Sequence, residues 1–322
     1  MTFVLYRKLL RDVRWQLLAV CLLLGTFACL WVRVTQEVTT QVSPFITLLS
    51  TLQAWRPDYI HDLFFRGPGK MMQTFLGGED VKFIDPQQTL AVAAAHPLVQ
   101  AVVCIWAIGR AGGAIAGEID RGTMELLLAQ PLARRKIIFA HFLVDFTVIP
   151  LLCFGLIAGV YIGTAIVGEF TVDPGVYEAV RMKPPNPLPT YTVDAAVVRP
   201  GMWNMAALAF AISGYTMWIS AAGRSRNRVL GIAILVTLIQ FIVNVIGQLW
   251  AGLAFLRPFS VFYYYQPQAI NLRNAWTVDP GMAWFGEPLI SVNVLLALGL
   301  VGTVGYLMAL RTFVRRDVPA PL

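Results

Sequence analysis

Residues 15–32 read WQLLAVCLLLGTFACLWV, a run of 18 residues that contains no charged side chain. About 20 apolar residues in a helix cross the hydrocarbon core of a bilayer, which is roughly 30 Å thick. Lipid offers the backbone no hydrogen-bond partner, so such a segment must satisfy its own polar groups as an α-helix. We therefore predict that this run is a membrane-spanning helix.

Five further apolar blocks follow it. The 322 residues are 57% hydrophobic and 13% charged, whereas a soluble domain carries about 25% charged residues. The predicted fold class is all-α: a polytopic integral membrane protein whose residues 1–322 form a single transmembrane domain. The third and fifth blocks exceed the length that a bilayer needs, which predicts tilt, a kink or extension beyond it. The further blocks are 90–109, 139–167, 203–222, 229–256 and 289–310.

Basic residues predict that both termini lie in the cytoplasm. In that orientation the cytoplasmic segments hold 15 of the 25 Lys and Arg residues, and the longer outer segments hold 10. Enrichment of Lys and Arg on the inner side is typical of membrane proteins. This enrichment also explains the basic pI of the chain, so the pI does not indicate that the protein binds nucleic acid. The cytoplasmic segments are 1–14, 110–138, 223–228 and 311–322; the outer segments are 33–89, 168–202 and 257–288.

Residues 1–14 place apolar and basic side chains on opposite helical faces. This pattern predicts an interfacial helix on the inner leaflet, followed by a turn into the first span. The alternative is a simple extension of the first spanning helix. That span is long for a signal peptide, and we expect it to be an anchor.

The most informative cytoplasmic stretch, 117–138, reads GEIDRGTMELLLAQPLARRKII. Arg121 and Gly122 are predicted to end one helix, and the Thr123 hydroxyl to cap a second helix over 124–130. Pro131 allows the next helix to begin. The pattern predicts a short helix flanked by charges, a shape suited to docking into a groove of another protein.

This stretch resembles the signature loop of type-2 (ABC-2) ABC transporter permeases: an acidic residue, Gly-Thr, Glu, a leucine run, then Pro and basic residues. The resemblance extends to the basic N-terminal segment, to FVRRDVP at 313–319 and to PFSVFYYYQP at 258–267. It implies a permease subunit of an ATP-driven exporter in the cytoplasmic (inner) membrane. The outer segments 33–89 and 168–202 are longer than is usual for the family, and their role stays open.

The resemblance also implies partners. A separate ABC ATP-binding subunit would hold ATP and Mg²⁺, and a second permease subunit would pair with this chain in the lipid, as a homodimer or a heterodimer. The chain itself has no P-loop, because Gly67-Pro-Gly-Lys70 is followed by Met71 and lacks the upstream glycine. The residues expected to couple to the ATPase are Glu118, Arg121, Gly122, Thr123, Glu125, Pro131, Arg134 and Arg135.

Polar residues within the spans form two further candidate groups. Gln240, Asn244 and Gln248 recur every four residues in the fifth span, which predicts one polar stripe lining a translocation path or joining two helices. His141 and Asp145 are also four apart. They are either a polar relay that contacts substrate or a locally paired, water-accessible duo. The hydroxyls of Ser213, Thr216 and Ser220 are expected to bond to backbone.

Other functional classes have less support. The three histidines lie on different segments, and neither HExxH nor GxSxG occurs, so we predict no catalytic, cofactor-binding or metal-binding residues. We attribute the Asp58, His61 and Asp62 cluster to an exposed outer loop. A membrane scaffold or sensor that binds a partner through its outer segments remains the alternative. With Asp145 the only acidic residue in a span, a hydrophobic or amphipathic substrate fits slightly better than a highly charged one.

Overall fold

The computed structural model describes residues 2–42, 44, 85–179 and 181–316. Its described part is almost entirely helical, which confirms the all-α class. Six helical stretches are long and apolar enough to cross a membrane, as predicted. They are Thr2–Val42, Pro86–Gly112, Arg134–Val167, Ala195–Ala222, Arg226–Leu249 and Val294–Arg315.

The helices are numbered here in chain order. They are α1 (Thr2–Glu37), α2 (Pro86–Ala95), α3 (Pro97–Gly112), α4 (Ala116–Asp120), α5 (Thr123–Leu128), α6 (Arg134–Val167), α7 (Pro174–Ala179), α8 (Arg199–Ala222), α9 (Arg226–Leu249), α10 (Pro267–Arg273), α11 (Pro280–Trp284) and α12 (Val294–Arg315). A π-helical turn (Val38–Val42) extends α1, and 3-10 helices lie at Ala195–Val198, Ala251–Phe259 and Val261–Tyr264.

The N-terminal segment corrects one prediction. Helix α1 is continuous over 36 residues, so 1–14 is not a separate helix that turns into the first span. At 1.5 Å per residue α1 is about 54 Å long, well beyond the ~30 Å hydrocarbon core. The basic, amphipathic first turns therefore extend the spanning helix, as in the alternative interpretation.

The second span is broken where the sequence predicted continuity. His96 separates α2 from α3 with an extended backbone (ψ 133°), because Pro97 disfavours a helical conformation of the residue before it. The His96 Nδ1 atom accepts a hydrogen bond from the Leu98 amide at 3.2 Å. An imidazole thus caps α3 at a break inside the second span.

The fifth span is shorter than predicted. Helix α9 ends at Leu249, and 251–259 is a 3-10 helix rather than a continuation of the spanning helix. Two bonds bring the following segment back against α9. Ser260 Oγ donates to the Gln240 carbonyl at 2.8 Å, and the Val261 amide donates to Gln240 Oε1 at 3.1 Å.

Two helix pairs make close backbone contacts through glycines. In the α1–α6 pair, a Cβ atom added at Gly159 would overlap the Gly25 carbonyl group. In the α8–α12 pair, a Cβ atom at Gly305 would overlap the Gly214 backbone. Gly302 and Gly305, three residues apart in the sixth span, allow the two helices to approach this closely. Gly299, one turn earlier, faces open space.

The outer segments, within their described part, carry short ordered elements. Strand Phe170–Thr171 pairs antiparallel with Thr190–Tyr191, and Thr277–Val278 pairs antiparallel with Val292–Asn293. Partial desolvation raises the pKa of Asp279, but hydrogen bonds from backbone amides, including Ile290, outweigh it and lower the pKa overall. The sequence also predicts short amphipathic stretches at 46–55 and 59–65. These stretches, the Asp58–Asp62 cluster and the 67–71 stretch lie outside the described residues.

Candidate functional site: the segment between α3 and α6

Two short helices fill the connection between α3 and α6. Helix α4 ends at Asp120, Gly122 takes the left-handed conformation (φ 71°), and α5 begins at Thr123. Glycine has no Cβ atom and adopts this conformation without strain. The break predicted at Arg121 and Gly122 is present. The second helix ends at Leu128 rather than at 130.

Thr123 does not cap α5 as predicted. The helix has Gly122 at its N-cap and no side-chain cap. The Thr123 hydroxyl instead points back to Glu118, donating to its carbonyl oxygen at 3.2 Å and to its carboxylate. Arg121 Nη2 also donates to the Glu118 carboxylate, at 2.6 Å. Glu118 therefore organises the reversal between the two helices.

A buried serine anchors the start of this segment to α8. Ser220 Oγ donates to the Gly112 carbonyl at 2.9 Å and accepts from the amides of Ile115 and Ala116 at 3.1 Å each. One hydroxyl thereby satisfies three backbone groups where α3 ends and α4 begins. The expectation that these hydroxyls bond to backbone is confirmed for Ser220, whose partners lie outside its own helix. It is wrong for Thr216, whose buried Oγ1 atom has no hydrogen-bond partner among the described residues.

Arg134 anchors the other end to α12. Its guanidinium donates to the carbonyl oxygens of Arg316 and, at 3.5 Å, Phe313, and lies 6.0 Å from the Phe313 ring centroid. Arg316 in turn donates to the carbonyls of Ala221 at 2.9 Å and Gly223 at 2.8 Å. Burial and the nearby Arg224 lower the pKa of Arg316.

The other predicted coupling residues are accessible. Leu126 projects from α5 with 71% of its surface exposed. Met124 on the opposite side is buried with Ile115, Ile119 and Phe313 in an apolar cluster beneath the segment. The segment thus has an anchored inner face and an outer face of mixed apolar and charged character. That outer face includes Arg121, Glu125, Leu126, Pro131 and Arg135.

Behind this segment lies a buried charge cluster. Arg110, near the end of α3, forms a two-pronged ion pair with Asp145 of α6, and the Tyr306 hydroxyl of α12 donates to the same carboxylate. Their side chains are sequestered, with 6% of Arg110 and 1% of Asp145 exposed. Arg110 also donates to the His141 carbonyl at 3.1 Å and lies 3.3 Å from His141 Nδ1. Three helices therefore meet at one carboxylate.

This arrangement corrects one of the two interpretations of His141 and Asp145, the water-accessible duo, whereas the polar relay that contacts substrate stays a prediction. Both side chains are buried rather than water-accessible, and Arg110 lies between them. Sequence reasoning placed Arg110 just outside the second span and missed it, together with Tyr306. The sequence feature that indicates such partners is Asp145 itself, because a buried carboxylate needs a cationic or hydrogen-bonding partner.

The stripe on α9 packs against the chain's own 3-10 segments. Gln240 bonds to Ser260 and Val261, and Asn244 Oδ1 accepts from Arg257 Nε at 3.3 Å. Asn244 and Gln248 line a small polar cavity of about 60 Å³. For Gln240 and Asn244 the geometry favours the interface interpretation over a wide aqueous path.

Comparison with known protein families covers almost the whole chain. Residues 32–318 match the family model described as ABC-2 family transporter protein. The chain belongs to the ABC-2 transporter family. A comparison with curated proteins found no match.

Membership in the ABC-2 family identifies the chain as a multi-pass membrane permease, a transport component rather than a catalyst. ABC-2 permeases generally work with an ATP-binding subunit. The match also covers the α3–α6 connection, which carried the resemblance in the sequence.

Proposed function

We propose that this ABC-2 protein is the membrane-spanning subunit of an ATP-driven exporter in the cytoplasmic membrane. A separate ATP-binding subunit docks on the outer face of α5 and the turns that flank it, and a second permease subunit completes the transporter. ATP and Mg²⁺ belong to the docked subunit. The observation that supports this proposal is the exposed outer face of α5, on a segment whose two ends are fixed to other helices.

The anchors give this segment a mechanical role. A displacement of exposed α5 by the docked subunit would be transmitted to α8 through the hydrogen bonds of Ser220 and to α12 through those of Arg134. The Arg110–Asp145–Tyr306 cluster joins α3, α6 and α12 directly behind the segment. Closure of the ATP-binding subunits would therefore move several spanning helices together instead of bending one loop.

Copurification tests the docking face. The tagged chain is isolated from native membranes in mild detergent, and associated proteins are identified by mass spectrometry. The test variant is Glu125→Arg with Leu126→Asp, which alters two exposed side chains. Glu178→Arg, at an exposed position on α7, is the matched control. Exchanging Glu118 and Arg121 would be less informative, because it could re-form their ion pair.

We expect an ATPase with a P-loop to copurify with the wild type and with Glu178→Arg, and to be lost from the double variant. If the double variant still retained an ATPase, the docking face would have to lie elsewhere on the permease. Recovery of a different protein that depends on the outer segments, with no ATPase, would instead favour a membrane scaffold or sensor.

A further inference from the structure

A cleft of about 620 Å³ separates α1 from α3. This volume lies within the range of small-molecule sites. On α1 the wall above Asp12 is apolar at Val13, Val20 and Leu23, a stretch of about 15 Å at 1.5 Å per residue, with Gln16 among them. That length matches one leaflet's half of the ~30 Å hydrocarbon core. On α3 the wall continues through Val102 and Ile105.

One end of the cleft is charged. Glu118 pairs with Arg121, and Arg110 pairs with Asp145, so these four charges are balanced within the protein. This leaves two lining residues of opposite charge, which form no ion pair in the part of the chain that the structure describes. They are Asp12 on α1 and Arg226 at the start of α9.

Between the apolar wall and the charged end lies an unsatisfied donor. Trp106 lines the cleft and is only 8% exposed, and its indole N–H has no acceptor among the described residues. A buried polar group without a partner is costly and uncommon in native proteins. The nitrogen atom itself is enclosed, so a bound molecule reaches this N–H only when the ring turns toward the cleft.

We propose that the α1–α3 cleft binds one membrane phospholipid with a zwitterionic headgroup. An acyl chain lies along the apolar wall, an ester carbonyl accepts the Trp106 N–H, and the phosphate faces Arg226 while the ammonium faces Asp12. One cation and one anion left unpaired at the charged end match such a headgroup better than an anionic one. The site extends beyond the proposed transport function and does not depend on it.

Photolabelling of the full-length, delipidated protein in mild detergent tests the site. The probe is phosphatidylethanolamine with a diazirine on one acyl chain, and labelled peptides are mapped by mass spectrometry. A phosphatidylglycerol probe with identical chains reports headgroup selectivity. We expect label on the cleft faces of α1 and α3 with the first probe, displaced by unlabelled phosphatidylethanolamine, and several-fold less with the second.

The variants separate the site from general lipid contact. Trp106→Phe keeps the ring and removes the donor, and should lower labelling about fivefold, the loss expected for one hydrogen bond. Asp12→Asn and Arg226→Gln should reduce the preference for phosphatidylethanolamine. The matched controls are Trp203→Phe, an exposed tryptophan on α8, and Arg14→Gln, which lines the neighbouring α1–α6 groove. Both should label as the wild type does.

Three outcomes would overturn the proposal. Label spread over all lipid-facing helices, including α9, would show ordinary annular contact. Equal labelling of the cleft by both probes, or an unchanged Trp106→Phe variant of normal elution profile and thermal stability, would exclude the assigned headgroup or the assigned donor.

Discussion

At the scale of single residues, the Arg110–Asp145 pair is the most consequential feature. Two charges removed from water are tolerated only when they are paired and hydrogen-bonded, and here Tyr306 and His141 complete that environment. Each side chain therefore makes the burial of the other possible. Loss of one partner should cost far more than loss of both.

A double-mutant cycle measures this dependence. Arg110→Met leaves a buried carboxylate without its cation, and Asp145→Leu leaves a buried guanidinium. Each should destabilise the protein by about 3 kcal/mol or more, read from unfolding midpoints in detergent. The double variant should be markedly more stable than the sum of the two losses predicts. Strict additivity would mean that the two charges do not depend on one another.

Only part of this cluster can be predicted from the sequence. Asp145 and His141 were evident because they are polar and lie in an apolar block. Arg110 and Tyr306 lie 35 and 161 positions from Asp145, and nothing local in the sequence links them to it. Only the packing of three helices brings them together.

At the scale of elements, long apolar blocks predicted helices well because lipid permits few other structures. Their ends were less predictable. The break at His96 follows from Pro97 and could have been foreseen. The single helix over Thr2–Glu37 could not, since the amphipathic pattern of its first turns suits either interpretation. The end of α9 at Leu249 depends on bonds from Gln240 to a later segment.

Close packing of α1 against α6 yields a second prediction. Gly159→Ala places a methyl group against the Gly25 backbone, so the helices must separate, at a cost of about 2 kcal/mol. Gly299→Ala is the matched control, because nothing lies within 4 Å of its Cβ position. That variant should be neutral or slightly stabilised, as alanine favours a helix. Equal thermal unfolding midpoints for both variants would contradict the packing.

At the scale of the whole molecule, the distribution of basic residues predicts which loops face the cytoplasm, and site-directed labelling tests that orientation. Lys183→Cys and Arg135→Cys introduce thiols at exposed positions on opposite sides of the predicted membrane. The four native cysteines all lie within helices. A membrane-impermeant maleimide should label position 183 in intact cells and position 135 only after lysis. The reverse pattern would invert the topology.

The central claim concerns the whole transporter: an ATP-binding subunit docks on the exposed tip of α5. The most direct measurement replaces Leu126 with a photo-crosslinking amino acid in living cells, with the same replacement at Glu178 as the control. Irradiation should join position 126, and not position 178, to an ATPase that carries a P-loop. Absence of an ATPase adduct at position 126, while copurification still recovers one, would contradict docking at this helix.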